Sequence, residues 1–334
     1  MKHSPQDNHS HEEHSRGLKR REFVGLAAAA AGALTFGVKN RMGAQQAEAA
    51  TGTRFVADLD APIEKGKKPT DLVALGKSGI KVSMVGIGTG TMGSDHASNQ
   101  TRLGQPEFTR IVRHGLDSGI SFYDLSDSYG SHEYFTRAMQ GVPRGKYVIQ
   151  TKTDSRDAAQ AKADIDRYLR ELKTDHIESM LIHCVTEGDW TTRFRGVMDV
   201  FEEAKKAGKI GAHGVTCHSF EALQAAYASD WVQIHQVRWN TRGKRMDADV
   251  KTAGALFQKM RAKGQGMIGM KVVGQGDIVN GRNALSPEAC CRFQVESGVV
   301  DAFVVGVENT KQLDQILHGT QLALHEVGYR GALV

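Results

Sequence analysis

The sequence predicts an α/β fold in which parallel strands alternate with helices and close into a barrel. Three observations predict it. Eight short apolar runs recur after residue 80, separated by segments of helical periodicity. The span 70–334 has the length that such a barrel needs. Ionisable residues also close three successive runs, and the C-terminal ends of the strands are where a barrel carries its chemistry. The expected fold class is therefore a (β/α)8 TIM barrel with a short N-terminal hairpin. An open doubly wound sheet is the alternative. Against it, "GIGTGTMG" after the first run lacks the G-x-G-x-x-G spacing of a dinucleotide-binding turn.

In chain order, "DLVALGKSGIKVS" reads as the hairpin, with Gly76–Gly79 supplying the turn. The strand runs are 84–88, 120–124, 147–151, 179–183, 210–215, 232–237, 266–270 and 302–306. Between them, 157–173 repeats Ile165, Tyr168, Leu169 and Leu172 on one helical face. Segment 193–207 does the same with Val197, Val200, Phe201 and Ala204, and Gly208 stands at its C-terminal cap.

The first fifty residues are of another kind. A polar tail holding His9, His11 and His14 precedes Arg20–Arg21, Phe23 and an alanine-rich run that is too short and too weakly apolar for a stable span. A charged segment, an apolar segment and the small-residue stretch "AEAA" form an export signal, and the arginine pair resembles a bacterial twin-arginine (Tat) signal. Cleavage is expected near Ala49–Ala50. The expected division is 1–49 signal, 50–69 linker and 70–334 barrel, with the Tat translocase as a transient partner and a periplasmic or secreted destination. The "HEEH" spacing does not match a zinc-protease helix, so the histidines read as a solvated tail.

Composition excludes several classes. The charge of +5 comes without a basic stripe interleaved with aromatics, which argues against nucleic acid. The four cysteines, Cys184, Cys217, Cys290 and Cys291, form no C-x-x-C pair, which argues against a zinc or iron–sulfur motif and against a disulfide framework.

The chemistry sits at the strand ends. "GISFYDLSDSYG" places Asp124 at the end of the second strand and Tyr129 on the loop after it. "KYVIQTKTD" places Lys152 after the third strand, and "ESMLIHCV" places His183 at the end of the fourth. Each residue alone has a bland reading: a turn cap, a solvated lysine, a core histidine. Together they can polarise a carbonyl and pass a proton to its oxygen. An ammonium beside a phenol lowers the phenol pKa, and a carboxylate orients the ammonium. A hydride must then come from a cofactor, because no side chain supplies one.

The segments "LGKSGIKVSMVGIGTGTMG", "FYDLSDSYGSHE", "VIQTK", "MLIHC", "GKIGAHGVTCHS", "QVRWN" and "VVGVENTKQLDQI" resemble the aldo/keto reductase family, in family order and over nearly all of the chain after residue 70. The resemblance implies a reductase or dehydrogenase using NADP(H) or NAD(H) on a small carbonyl, alcohol or sugar. It implies Tyr129 as general acid/base, Lys152 and Asp124 tuning it, and His183 orienting the carbonyl. By the same resemblance Gly88, Thr89, Thr216, Cys217, Gln236, Met270, Lys271, Gly306 and Asn309 fall at cofactor contacts. Thr216–Cys217 departs from the family's usual serine–asparagine pair, and Met270 stands where an aromatic often stacks on the nicotinamide. Position 308 is Glu, and Gln312 replaces a common arginine, which tilts the expected preference toward NAD(H). Lys311 is the nearby cation. Backbone amides of Gly306, Val307 and Asn309 remain as phosphate partners. Two other classes stay open: a dinucleotide-binding barrel that does no turnover and acts as a sensor or subunit, and a sugar isomerase or lyase. The substrate is not readable. Expected substrate loops are 88–105, 184–193 and the C-terminal tail, with Trp190 and Trp239 either lining the pocket or packing.

Overall fold

The computed structural model describes residues 66–329. Arg20–Arg21, the alanine-rich run, the tail histidines and the expected cleavage point all lie outside the described residues, as do the last five of the chain.

The hairpin strands β1 (Leu72–Ala74) and β2 (Lys81–Ser83) pair antiparallel, and the turn between them uses Gly76 and Gly79 at φ of 50° and 82°. The hairpin closes the N-terminal end of the barrel. Lys77 N–H donates to Gly264 O, and Val85 N–H donates to Pro69 O, at the entrances of two barrel strands.

The barrel strands are β3 (Val85–Gly88), β4 (Phe122–Asp124), β5 (Val148–Thr153), β6 (Ile177–Val185), β7 (Ile210–Cys217), β8 (Ile234–Arg238), β9 (Gly266–Met270) and β10 (Ala302–Val305). All neighbours are parallel, and β10 pairs with both β9 and β3, which closes the ring. The predicted runs and the observed strands agree. The differences are in length: β5 runs on through Lys152, and β6 runs two residues beyond His183.

The helices are α1 (Asn99–Arg102), α2 (Gln105–Asp117), α3 (Ser131–Ala138), α4 (Ala158–Leu172), α5 (Trp190–Arg193), α6 (Arg195–Lys206), α7 (Phe220–Ala228), α8 (Val250–Lys263), α9 (Pro287–Ser297) and α10 (Thr310–Val327). The periodicity read over 157–173 is α4. The Asp157 side chain accepts from Gln160 N–H at its start, and Ile165, Tyr168 and Leu172 are buried on the barrel side. The helix expected over 193–207 is α6, which starts at Arg195 because Phe194 leaves helical geometry and separates it from the short α5 before it. Trp190 and Trp239 are fully buried, their indole N–H groups donating to Ala222 O and Ser297 Oγ, so both pack rather than line a pocket. Cys290 and Cys291 are buried free thiols on α9.

Candidate active site

Asp124 ends β4 and Lys152 stands one strand over on β5, both inside the barrel at 4% and 0% exposure. Lys152 Nζ donates to Asp124 Oδ1 at 2.6 Å and to Leu125 O at 2.8 Å. Gln150 Nε2 donates to the same carboxylate oxygen at 2.8 Å, and Gln236 Nε2 on β8 donates to the other at 2.8 Å. A buried charge pair survives only when its remaining lone pairs and protons are satisfied, and these two glutamines do that.

Tyr129 closes a one-turn helix after β4 and lies over this pair, with Lys152 Nζ 5.1 Å from the ring centroid. Its ring is held by backbone. A Cβ on Gly90 would lie 2.2 Å from Tyr129 Cε2, and one on Gly93 would lie 2.4 Å from Cδ1. Gly90 and Gly93 of "GTGTMG" are therefore needed for close approach of the loop to the ring.

The Tyr129 hydroxyl lies 3.2 Å from His183 Nε2. His183 Nδ1 lies 3.0 Å from Asp154 Oδ1, with Ser128 Oγ at 3.4 Å. The register of β6 against β7 shifts between Ile182 and Val185, and Cys184 there has a φ of 53°. This irregularity turns both His183 and Cys184 toward the mouth, where a regular strand would alternate them.

The electrostatics differ in one respect from the sequence expectation. Burial, followed by the charges of Asp124, Cys184 and Asp154, pushes the Tyr129 phenol well above its ordinary value, where a lowered value was expected. The reason is burial first, then the facing carboxylates; the Lys152 ammonium is paired with Asp124 at hydrogen-bonding distance. Burial also lowers His183, against the hydrogen bond it donates to Asp154, which raises it. A neutral His183 that donates from Nδ1 to the Asp154 carboxylate keeps its lone pair on Nε2, where it accepts from the Tyr129 hydroxyl.

A cavity of about 400 Å³ runs from Tyr129 and Asp124 past the ends of β8, β9 and β10 to the start of α10. Of the residues expected at a cofactor, Gly88, Gln236, Met270, Lys271 and Gly306 line it. Thr89, Thr216, Cys217 and Asn309 do not. The Thr89 hydroxyl donates to Asp124 O at 2.9 Å. Thr216 Oγ1 accepts from Cys184 N–H at 2.8 Å. Cys217 is buried, and Asn309 caps α10 by accepting from Gln312 N–H. Reasoning from the sequence missed Gln150, Asp154, Asn99 and the loop after β9, where Gln275 and Asn280 add polar wall to the cavity. Asp154 was visible in "QTKTD", two residues after Lys152, had the strand been extended through Thr153.

The cavity fits a dinucleotide on three counts. Gln236 Oε1 is buried without a hydrogen-bond partner and faces a ligand that can donate to it. Burial and the Arg238 charge push the Lys271 ammonium down to about 8, and no hydrogen bond or ion pair of it is found among the described residues. A Cβ on Gly306 would lie 2.1 Å from Thr91 Oγ1, so the backbone there is bare beside the first turn of α10.

The fold and this strand-end set define a closed β/α-barrel with a cluster of ionisable side chains at its mouth. Residues 84–288 match the model of the aldo/keto reductase family, and the chain belongs to that family. It is 27% identical over 157 residues to L-galactose dehydrogenase of Arabidopsis thaliana, covering 44% of this chain and 48% of that protein. It is 28% identical over 159 residues to an uncharacterised oxidoreductase, YrpG, of Bacillus subtilis (strain 168), covering 41% and 46%. The chain thus spans about half the length of the curated relatives it matches. Among solved structures, a putative aldo-keto reductase from Pseudomonas aeruginosa superposes with a TM-score of 0.63 at 22% identity, covering 78% of this chain and 98% of the other. The holo form of aldo-keto reductase AKR11C1 from Bacillus halodurans does so at 0.60 and 16%, covering 79% and 98%. At these identities the two structures establish the fold.

The charge matching has a measurable consequence. Asp124→Asn removes the carboxylate that raises Tyr129 and leaves Lys152 uncompensated, so the phenol pKa falls. Carbonyl reduction that needs a protonated phenol then loses rate at lower pH than in the wild type. The alkaline limb of the pH–rate profile is expected to move down by at least about one unit. An unmoved limb would show that the pair does not tune the phenol.

Proposed function

We propose that the protein is an NAD(P)(H)-dependent oxidoreductase acting on a small carbonyl or the matching alcohol, an aldehyde, ketone or sugar. The observation that carries this reading is the Tyr129 hydroxyl, which stands between His183 and the cavity and above a buried Lys152–Asp124 pair. The bound nicotinamide would supply or accept the hydride. Gln236 would take the carboxamide, Met270 the ring face, and Lys271 with the α10 amides the phosphates. Tyr129 gives its proton to the carbonyl oxygen in reduction and takes it back from an alcohol in oxidation. His183 aims the hydroxyl by accepting from it at Nε2, with Asp154 setting which ring nitrogen carries the proton. The likeness to L-galactose dehydrogenase supports a sugar among the candidate substrates. Tyr129→Phe keeps the ring that the Gly90 and Gly93 backbone holds and removes the proton. Turnover is expected to drop by at least about a hundredfold with nucleotide binding retained. Near-normal turnover by this variant would sink the mechanism.

For the cofactor we infer weak discrimination tilted toward NAD(H). Glu308 borders the cavity at the end of β10 and accepts from Asn99 Nδ2 at 2.7 Å, which holds a carboxylate where a 2′-phosphate would need a cation. Gln312 Oε1 accepts from Glu308 N–H at 2.7 Å, and Lys311 is exposed beyond the cavity wall. Titration of nucleotide-free protein with NADH and NADPH is expected to give affinities within about tenfold, roughly 1.4 kcal/mol. A larger preference for NADPH would make Lys271 or Lys311 a phosphate partner.

We further propose the division 1–49 signal, 50–69 linker and 70–334 barrel, with export by the twin-arginine route to the periplasm or beyond. Arg20–Arg21 before Phe23 and the alanine-rich run support it. Among the described residues no helix is long and apolar enough to cross a membrane. A route that carries folded proteins would let the cofactor load in the cytoplasm. Replacing both arginines by lysine is expected to retain the precursor in the cytoplasm on fractionation. Mature periplasmic protein in cells lacking that pathway would disprove the route.

A further inference from the structure

The irregularity in β6 does more than expose His183. It places a thiol, two imidazoles and a carboxylate in one cluster that the proposed reaction does not use as a set. Ligand atoms of Asp154, His183 and Cys184 all lie within 4.8 Å of one another. Asp154 Oδ1 is 3.0 Å from His183 Nδ1. From the end of β7, His218 brings Nε2 to 3.8 Å from Cys184 Sγ. A tetrahedral zinc with bonds of about 2.0–2.3 Å sets its ligand atoms about 3.3–3.6 Å apart. The two short edges bracket that spacing, and modest side-chain rotation closes the rest.

We propose that Asp154, His183, Cys184 and His218 form a site for a thiophilic divalent cation of the zinc type, and that its occupation withdraws His183 from Tyr129. The donor set selects the metal. One thiolate and two imidazoles suit zinc, whereas magnesium and calcium want oxygen ligands. On binding, Cys184 gives its thiol proton to solvent and the His183 proton moves from Nδ1 to Nε2, which ends the acceptance of the Tyr129 hydroxyl there. The metal and its two anionic ligands then sum to zero charge, so the nearby cations Lys152, Arg156, Arg238 and Lys271 do not oppose the filled site. A second cluster, Asp127, His132 and Glu171, looks similar and is not a site. Arg167 donates to both Asp127 oxygens and to Glu171, so the carboxylates a cation would need are already taken. There the protein's own guanidinium takes up the donor atoms; at Cys184 the Arg156 guanidinium donates to the backbone oxygens of His183 and Cys184 and leaves the side-chain donors to one another.

The metal site itself stands on geometry. Only its inhibitory consequence rests on the oxidoreductase reading. Full-length protein is stripped with chelator and titrated with Co²⁺, because a thiolate ligand gives a charge-transfer band in the near ultraviolet. The histidine-rich tail holds no cysteine, so cobalt taken up there would give no such band, and the other three cysteines are buried in the core. The expected result is a band that saturates at one equivalent, is displaced by Zn²⁺, and is absent from Cys184→Ala. His218→Ala should weaken the titration at least tenfold. Cobalt binding without the band, or a band that persists in Cys184→Ala, overturns the site. Zn²⁺ is also expected to suppress NAD(P)H oxidation with an aromatic aldehyde in the wild type and not in Cys184→Ala. Equal suppression of both overturns the inhibitory role. Failure of the oxidoreductase reading would appear in the nicotinamide titrations and leave the cobalt band intact.

Discussion

The structure turns on one ion pair. Lys152 and Asp124 are charged groups inside a barrel, and removing either partner from such a pair typically costs about 3–5 kcal/mol because the other is left alone. Their surroundings show how the pair is made tolerable. Asp124 Oδ1 takes Lys152 and Gln150, Oδ2 takes Gln236, and Lys152 spends a second proton on Leu125 O. β4 and β8 stand four places apart in the ring of eight, on opposite sides. The Gln236 contact therefore ties the barrel across its axis, and the same polar core that supports Tyr129 also fixes the shape of the mouth.

The pair has an electrostatic signature as well. A lone ammonium below a phenol would draw off its proton. An ammonium matched by a carboxylate does not, so burial governs and Tyr129 stays protonated. A neutral, oriented O–H is the state from which a proton is given to a carbonyl. Asp154 applies the same logic to His183, favouring one ring nitrogen for the proton by its place at 3.0 Å from Nδ1. Asp124 thus acts on Tyr129 through its partner Lys152, and Asp154 acts on His183 directly.

Much of this was legible in the sequence. The alternation of apolar runs and helical periods identified each barrel strand. The strand-end positions of Asp124, Lys152 and His183, with Tyr129 five residues beyond Asp124, brought four residues to one mouth before any geometry was known. What stayed hidden depends on register and on contacts across the barrel. Gln150 and Gln236 look like ordinary strand residues, and only the closed ring brings both to Asp124. Cys184 should alternate away from His183 in a regular strand, and no pattern in "LIHCV" announces the shift that turns it inward. Thr216 and Asn309 occupy positions suggested by resemblance, but their hydrogen bonds are spent on Cys184 N–H and on the α10 cap. The direction of the Tyr129 shift was missed because the sequence shows the lysine and the aspartate but not how tightly they pair.

The loop from Gly88 to α1 joins the two halves of the proposed chemistry. Its Gly90 and Gly93 backbone packs on the Tyr129 ring. Its Asn99 holds Glu308, and its Gln100 donates to Thr91 Oγ1 and Val307 O while accepting from Thr91 N–H. The loop is thus bound on one side to the proton donor and on the other to the wall where a cofactor's adenosine half would rest. β3 and β10 are neighbours in the ring, so this bridging needs no long excursion of the chain. Its physical result is coupling. A change in the loop that reshapes the substrate side also shifts the Asn99–Glu308 contact. On the proposed function, one short segment would therefore touch both the proton donor and the cofactor wall.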